Sequence, residues 1–106
     1  MTENIQNTFR ALADPTRRDI LIHLSKKEMT IGEVASQFDM TRAAIKKHLV
    51  ILEEGKLVSV HPQGRERVNR LEASALKSVA DWTLHFSEFW NNRLNKLQSV
   101  IEENEE

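Results

Sequence analysis

The stretch Met29 to Val58, MTIGEVASQFDMTRAAIKKHLVILEEGKLV, decides the fold. Thr30 with Glu33 three residues on is a capping box: the hydroxyl accepts from the N3 backbone and the carboxylate reaches back to the cap's own N–H, so a helix opens here. Asp39-Met40-Thr41 stops that helix and caps the next, leaving about three residues between the two. In the second helix Ile45, Leu49 and Leu52 fall at i, i+4 and i+7 and face the core. Arg42, Ala43, Lys46, Lys47 and Val50 are left pointing outward. Two short capped helices, the second with a basic outer face at its start, form a helix-turn-helix over about residues 30–54, and that face suits the major groove of double-stranded DNA.

Charge supports the same reading once it is counted by segment. The 106 residues carry a net charge of −1. Residues 1–40 hold 5 basic and 6 acidic side chains (−1), residues 41–70 hold 7 and 3 (+4), and residues 71–106 hold 3 and 7 (−4). A basic middle and an acidic tail of Glu102, Glu103, Glu105 and Glu106 describe a local DNA-facing surface on a chain that phosphates would otherwise repel. A length of 106 residues fits one domain, residues 1–106, burying roughly two-thirds of its unfolded surface. No run of 18 apolar residues appears, and MTENIQNTF lacks the basic-then-apolar layout of a signal peptide, so the expectation is a cytoplasmic chain with no membrane contact. The absence of cysteine excludes disulfides, thiolate metal sites and cysteine nucleophiles.

Local signals give the remaining elements. Ile5, Phe9 and Leu12 predict a first helix over about residues 3–13. Asp14 then caps a second helix whose first position is Pro15, with Ile20, Leu21 and Leu24 buried and an end near Ser25. Lys26, Lys27 and Glu28 make a polar connector, and Met29 a short strand pairing. Gly55 can take the left-handed conformation that ends the recognition helix. The period then changes to 2, and Leu57, Val58 and Val60 lead through a turn at His61-Pro62-Gln63-Gly64 to Val68 and Leu71, a hairpin over about residues 57–71. Gly64, Arg65 and Arg67 at its tip, with Arg70 lower down, suit a phosphate backbone or the minor groove.

From about Ser74 to the end there is no glycine or proline, and Val79, Trp82, Phe86, Phe89, Trp90, Leu94, Leu97, Val100 and Ile101 recur at helical spacing. A helix of about 30 residues spans some 45 Å, more than so small a domain covers itself. The expected cover is the same helix of a second copy, assisted by Phe9, with helices at about 3–13 and 74–104 making a homodimer.

The order helix, helix, helix-turn-helix, hairpin wing and long helix resembles the ArsR-type winged helix-turn-helix repressors over essentially the whole chain. Ala11-Leu12-Ala13-Asp14-Pro15-Thr16-Arg17-Arg18 and Ile20-Leu21 look like the family's second-helix opening, and Ile45, His48-Leu49, Leu52 and Leu57-Val58 its recognition helix and wing entrance. Trp82, Phe86, Phe89-Trp90, Arg93-Leu94 and Leu97 resemble a cysteine-free branch. The resemblance implies a mainly α fold with a small β-hairpin wing and a homodimeric bacterial transcription factor, usually a repressor. Lys46 stands where family members commonly have a small polar residue, so no base preference carries over. Lys56 separates Gly55 from the Leu-Val pair, which moves the helix end by a residue. The thiolates of the arsenic and cadmium sensors would fall near Ile31 to Ala35, and none is there.

The candidate DNA contacts are therefore Thr41, Arg42, Ala43, Lys46, Lys47, Arg65 and Arg67, against the plainer reading of a solvated helix face and edge-strand solubilisers. The candidate dimer contacts are Phe9, Trp82, Phe86, Phe89, Trp90, Leu94 and Leu97, and a dimer cavity lined by Trp82 and Trp90 would admit an unknown apolar effector. Arg17 and Arg18 are divided between a structural ion pair and a backbone contact, while His48 packs beside Leu49. His23 and His61 stand alone, without an acid–base partner. Asp81, His85 and Glu88, at i, i+4 and i+7, line up three metal-ligand types, although such rows are usually the wet side of a helix; no metal or other cofactor is expected. Without a cysteine nucleophile, a Gly-rich phosphate loop or a serine–histidine–acid set, the chain is not read as an enzyme. A sequence-specific DNA-binding regulator acting on an inverted repeat leads, ahead of a winged-helix protein–protein module and a non-thiolate metal-responsive regulator.

Overall fold

Asp14 makes the first corner of the computed structural model, which describes residues 2–104 and the side chains of residues 5–103. Met1, Glu105 and Glu106 lie outside that range. Helix α1 (Thr2–Leu12) ends just before Asp14, whose carboxylate accepts from the Arg17 N–H at 3.0 Å and opens α2 (Pro15–Lys26) with proline where no N–H is needed. Strand β1 (Met29–Thr30) leads into α3 (Ile31–Ala35), where both halves of the capping box are formed. Helix α4 (Arg42–Glu54) follows, then β2 (Val58–Gln63), β3 (Glu66–Leu71) and α5 (Ala73–Thr83). A 3-10 turn at Leu84–Phe86 separates α5 from α6 (Ser87–Asn104). No helix among the described residues is long and apolar enough to cross a membrane.

The cap bonds leave an electrostatic trace. The Arg17 N–H donating to Asp14 holds that carboxyl below its ordinary range, and the Thr30 N–H does the same for Glu33.

Ile20, Val34, Ile45, Leu52 and Leu57 are fully buried, one or more from each of α2, α3, α4 and the wing entrance, and burial of each such side chain contributes about 1.5–3 kcal/mol. The sheet is antiparallel in the order β1-β3-β2. The expected Met29 pairing is present, opposite Asn69, whose buried side-chain amide also donates to the Met29 carbonyl at 3.1 Å.

Four local expectations are corrected. The first helix of the motif is shorter than expected, and six residues, 36–41, separate α3 from α4. After Ala35 the chain tightens: the Gln37 and Phe38 amides donate to Val34 and Ala35, three residues back, and the Ser36 hydroxyl takes the Glu33 carbonyl.

The left-handed residue ending α4 is Lys56, at φ 62°, and not Gly55, at φ −80°. The Lys56 N–H donates to Glu53 and the Leu57 N–H to Leu52, the Schellman pairing, closed by contact of the buried Leu52 and Leu57. Gly55 is needed for room, since a Cβ there would lie 2.9 Å from the Asn7 carbonyl oxygen.

The hairpin turn is tighter than expected. His61, Pro62 and Gln63 belong to β2, and Gly64-Arg65 alone turn the chain, with Gly64 at φ 66° as a two-residue hairpin of the II′ kind requires. Pro62 fits because β2 is an edge strand: Gln63 and Glu66 close the loop as a bonded pair, so the Pro62–Arg67 pair is non-bonded and the missing N–H falls on the open side.

The expected continuous C-terminal helix is interrupted at Leu84–Phe86. The Thr83 hydroxyl donates to the Ala80 carbonyl at 2.7 Å, the backbone tightens to i→i+3 bonding, and α6 restarts at Ser87.

Candidate nucleic-acid interface

Thr41 caps α4, its hydroxyl accepting from the Ala44 N–H at 3.1 Å. With Ile45, Leu49 and Leu52 buried, helical geometry leaves Arg42, Ala43, Lys46, Lys47 and Val50 exposed on the opposite side, as the sequence predicts. Behind the helix, half-buried His48 is held from α2: its Nδ1 lies 3.4 Å from Arg17 Nη1 and 4.0 Å from Asp14 Oδ2. The packing role expected of His48 therefore fixes α4 against α2.

Some cations are held by the protein, and others, among them Lys26, Lys56 and Lys96 away from the motif's outer face, have no acidic partner among the described residues. Arg10 pairs with Glu54, Lys27 with Glu33, Arg70 with Glu28 and Lys77 with Asp81. Arg17 and Arg18 make no ion pair among the described residues; they donate to the Arg10, Ala11 and Leu12 carbonyls and so satisfy the open C-terminal end of α1. Sequence reasoning missed this cap because the donor lies six or seven residues beyond its acceptors, on another helix. By contrast, Arg42, Lys46, Lys47, Arg65 and Arg67 have no acidic partner within ion-pair distance among the described residues.

Arg42, Lys46, Arg65 and Arg67 line one cleft of about 780 Å3 between the start of α3, the outer side of α4 and the wing. The Arg42 guanidinium leans back over Gly32, where an added Cβ would lie 3.4 Å from Nη2. Thr41, Ala43 and Lys47 are exposed outside this cleft.

Of the residues expected between two copies, all but Phe9 are exposed in one chain. Phe9, half-buried, meets Trp82 edge-on at 5.4 Å, and Trp82 meets Phe86 at 5.2 Å. On α6, Phe89, Trp90, Leu94, Leu97, Val100 and Ile101 are each at least 50% exposed. The Arg93 guanidinium sits over the Phe89 ring at 4.8 Å.

Two expectations about titratable residues change. His61 is not alone: its Nε2 lies 2.7 Å from the Ser59 hydroxyl, which donates to Glu72. Serine stands in the middle, so no imidazole bridges hydroxyl and acid, and the arrangement lacks the order that activates a nucleophile. His23 stacks edge-on with Phe38 at 5.5 Å. Asp81, His85 and Glu88 lose their common row because His85 sits in the 3-10 turn, and no three acidic or histidine side chains among the described residues converge as metal ligands.

Known proteins match this architecture. Residues 12–61 fit the family model described as a helix-turn-helix domain. The transcriptional repressor SdpR of Bacillus subtilis is 34% identical over 90 residues, covering 85% of this chain and all of that protein. The crystal structure of an ArsR family transcriptional regulator, RHA00566, superposes with a TM-score of 0.76 at 36% identity, over 86% of this chain and 94% of that one. This chain belongs to the ArsR family of winged helix-turn-helix transcriptional regulators. The HTH-type transcriptional regulator Rv2034 of Mycobacterium tuberculosis is also similar, 31% identical over 94 residues, or 89% of this chain and 85% of that protein.

Proposed function

We propose that this ArsR-family chain is a homodimeric repressor that reads an inverted-repeat operator, with α4 in the major groove and the wing along the adjacent backbone. The observation that carries the DNA contact is a clustering of unpaired cations: Arg42, Lys46, Arg65 and Arg67 have no acidic partner among the described residues and line one cleft between α4 and the wing, with exposed, unpaired Lys47 beside it on α4. A buried or paired cation would have to break a bond before meeting a phosphate; these do not. Lys46 and Arg42 reach base edges, Thr41, Ala43 and Lys47 flank them, and Arg65 and Arg67 meet phosphates or the minor groove. Two-fold pairing through Phe9, Trp82 and Phe86, continued by Phe89, Trp90, Leu94 and Leu97, covers the apolar surface that one chain leaves open. The repressing direction follows the similarity to SdpR.

Selecting bound duplexes from random DNA with the purified chain, alongside sedimentation, tests this. Recovery of a two-fold symmetric sequence by a dimer is the expected result. Enrichment of no sequence, or binding unaffected by salt, overturns it.

A further inference from the structure

We infer that the cleft between the recognition helix and the wing also binds a small amphipathic anion with an aliphatic body, the class of a medium-chain alkyl carboxylate. Its volume of about 780 Å3 is that of an ordinary small-molecule site. Its lining includes four aliphatic side chains, Ile31, Leu49, Val50 and Val60, from α3, α4 and β2.

The rim supplies Arg42, Lys46, Arg65 and Arg67, all without carboxylate partners. Glu33, Glu53 and Glu66 line the cleft too, but Glu33 already accepts from the Thr30 N–H and lies 3.7 Å from Lys27. Four cations then face two uncommitted carboxylates, so the site selects an anion. No aromatic side chain lines it, which leaves a nucleobase or other flat ring nothing to stack on and favours an alkyl chain. Each methylene buried against the aliphatic side chains tightens binding about fourfold. Occupancy ties up Lys46, Arg65 and Arg67, so the ligand competes with DNA; this last clause rests on the proposed DNA-binding face, whereas the site itself does not.

Titration of the isotope-labelled full chain with decanoate, followed by amide NMR, tests the site. Saturable shifts at Gly32, Val50, Val60 and Asn69 are expected, with decanol, which lacks the charge, about tenfold weaker, and butyrate, six methylenes shorter, weaker by about a thousandfold. Val50→Ser and Arg67→Ala should each weaken decanoate about fivefold. Shifts confined to Trp82, Trp90 and Leu94, equal binding of decanol, or no saturation overturn the inference. Cleft shifts that leave a selected duplex undisplaced keep the ligand site and overturn the placement of DNA on this face. Normal duplex binding without cleft shifts does the reverse.

Discussion

The hydroxyl of Thr8 donates to the carbonyl of Gly55 at 2.8 Å, tying α1 to the end of the recognition helix across 47 residues. Thr8 is 2% exposed, so the bond is dry and its loss leaves a buried carbonyl short of a donor. Thr8→Val, which keeps the shape, should cost about 1–3 kcal/mol. Gly55→Ala, forcing a Cβ against the Asn7 carbonyl and the Thr8 backbone, should cost about as much or more. Thermal melts check both, and a Thr8→Val chain as stable as the parent would remove this tie from the account.

Base reading and backbone attraction should separate by mutation. Lys46→Ala is expected to cost about 1–3 kcal/mol at the operator and relax preference at one position. Arg65→Ala should weaken all sequences alike and lower the salt slope by about one unit. Fluorescence anisotropy over a salt series with operator and scrambled duplexes distinguishes them; Lys46→Ala with unchanged affinity and preference removes that residue from the reading set.

Assembly should depend on the stripe beyond the 3-10 turn as well as on the Phe9–Trp82–Phe86 cluster. Leu94→Glu places a charge on an exposed apolar face, where a lone folded chain tolerates it within about 0.5 kcal/mol but an interface does not. Sedimentation at micromolar concentration should show the substituted chain dissociating toward the 12.3 kDa monomer. A dimer of unchanged strength places the contact elsewhere.

Acid should loosen the helix starts. Asp14 and Glu33 both titrate below their ordinary values of 3.8 and 4.5 in the folded chain. Their depressed carboxyls add stability that is complete above those values and is lost as pH falls through the lower, folded ones. Asp14→Asn and Glu33→Gln keep an acceptor oxygen but cannot titrate, so their melting temperatures should fall less steeply than the parent's from about pH 5 to pH 3. Parallel slopes would show that these caps carry no charge-dependent stability.

The sequence was most legible where the determinant is local. Asp14-Pro15, Thr30 with Glu33, and Thr41 each satisfy backbone groups within three residues, and all three start the helices they predict. The inward set Ile45, Leu49 and Leu52 needed only the helical period. Gly55 is not the left-handed residue because the glycine there serves room, a Cβ having no space beside Asn7 and Thr8, while the reversal falls on Lys56, the one-residue shift that its position after Gly55 suggested. Ser59 and His61 share one face of β2 at i, i+2, but the Glu72 contact and the Arg17 and Arg18 caps join different elements, so no spacing announces those. The break at Leu84–Phe86 has no glycine or proline to mark it.

Pro62 bears on how the molecule behaves in a crowd. An open strand edge invites a neighbouring copy to lay a strand beside it and continue the ladder without limit, a route from soluble chains to fibres. Of the outward N–H positions along β2, at Val58, Val60 and Pro62, the last is empty and blocked by a ring, so a neighbour finds a broken template beside the wing tip. The wing can thus remain a bare hairpin, uncovered enough to meet another molecule's groove, without recruiting its own kind.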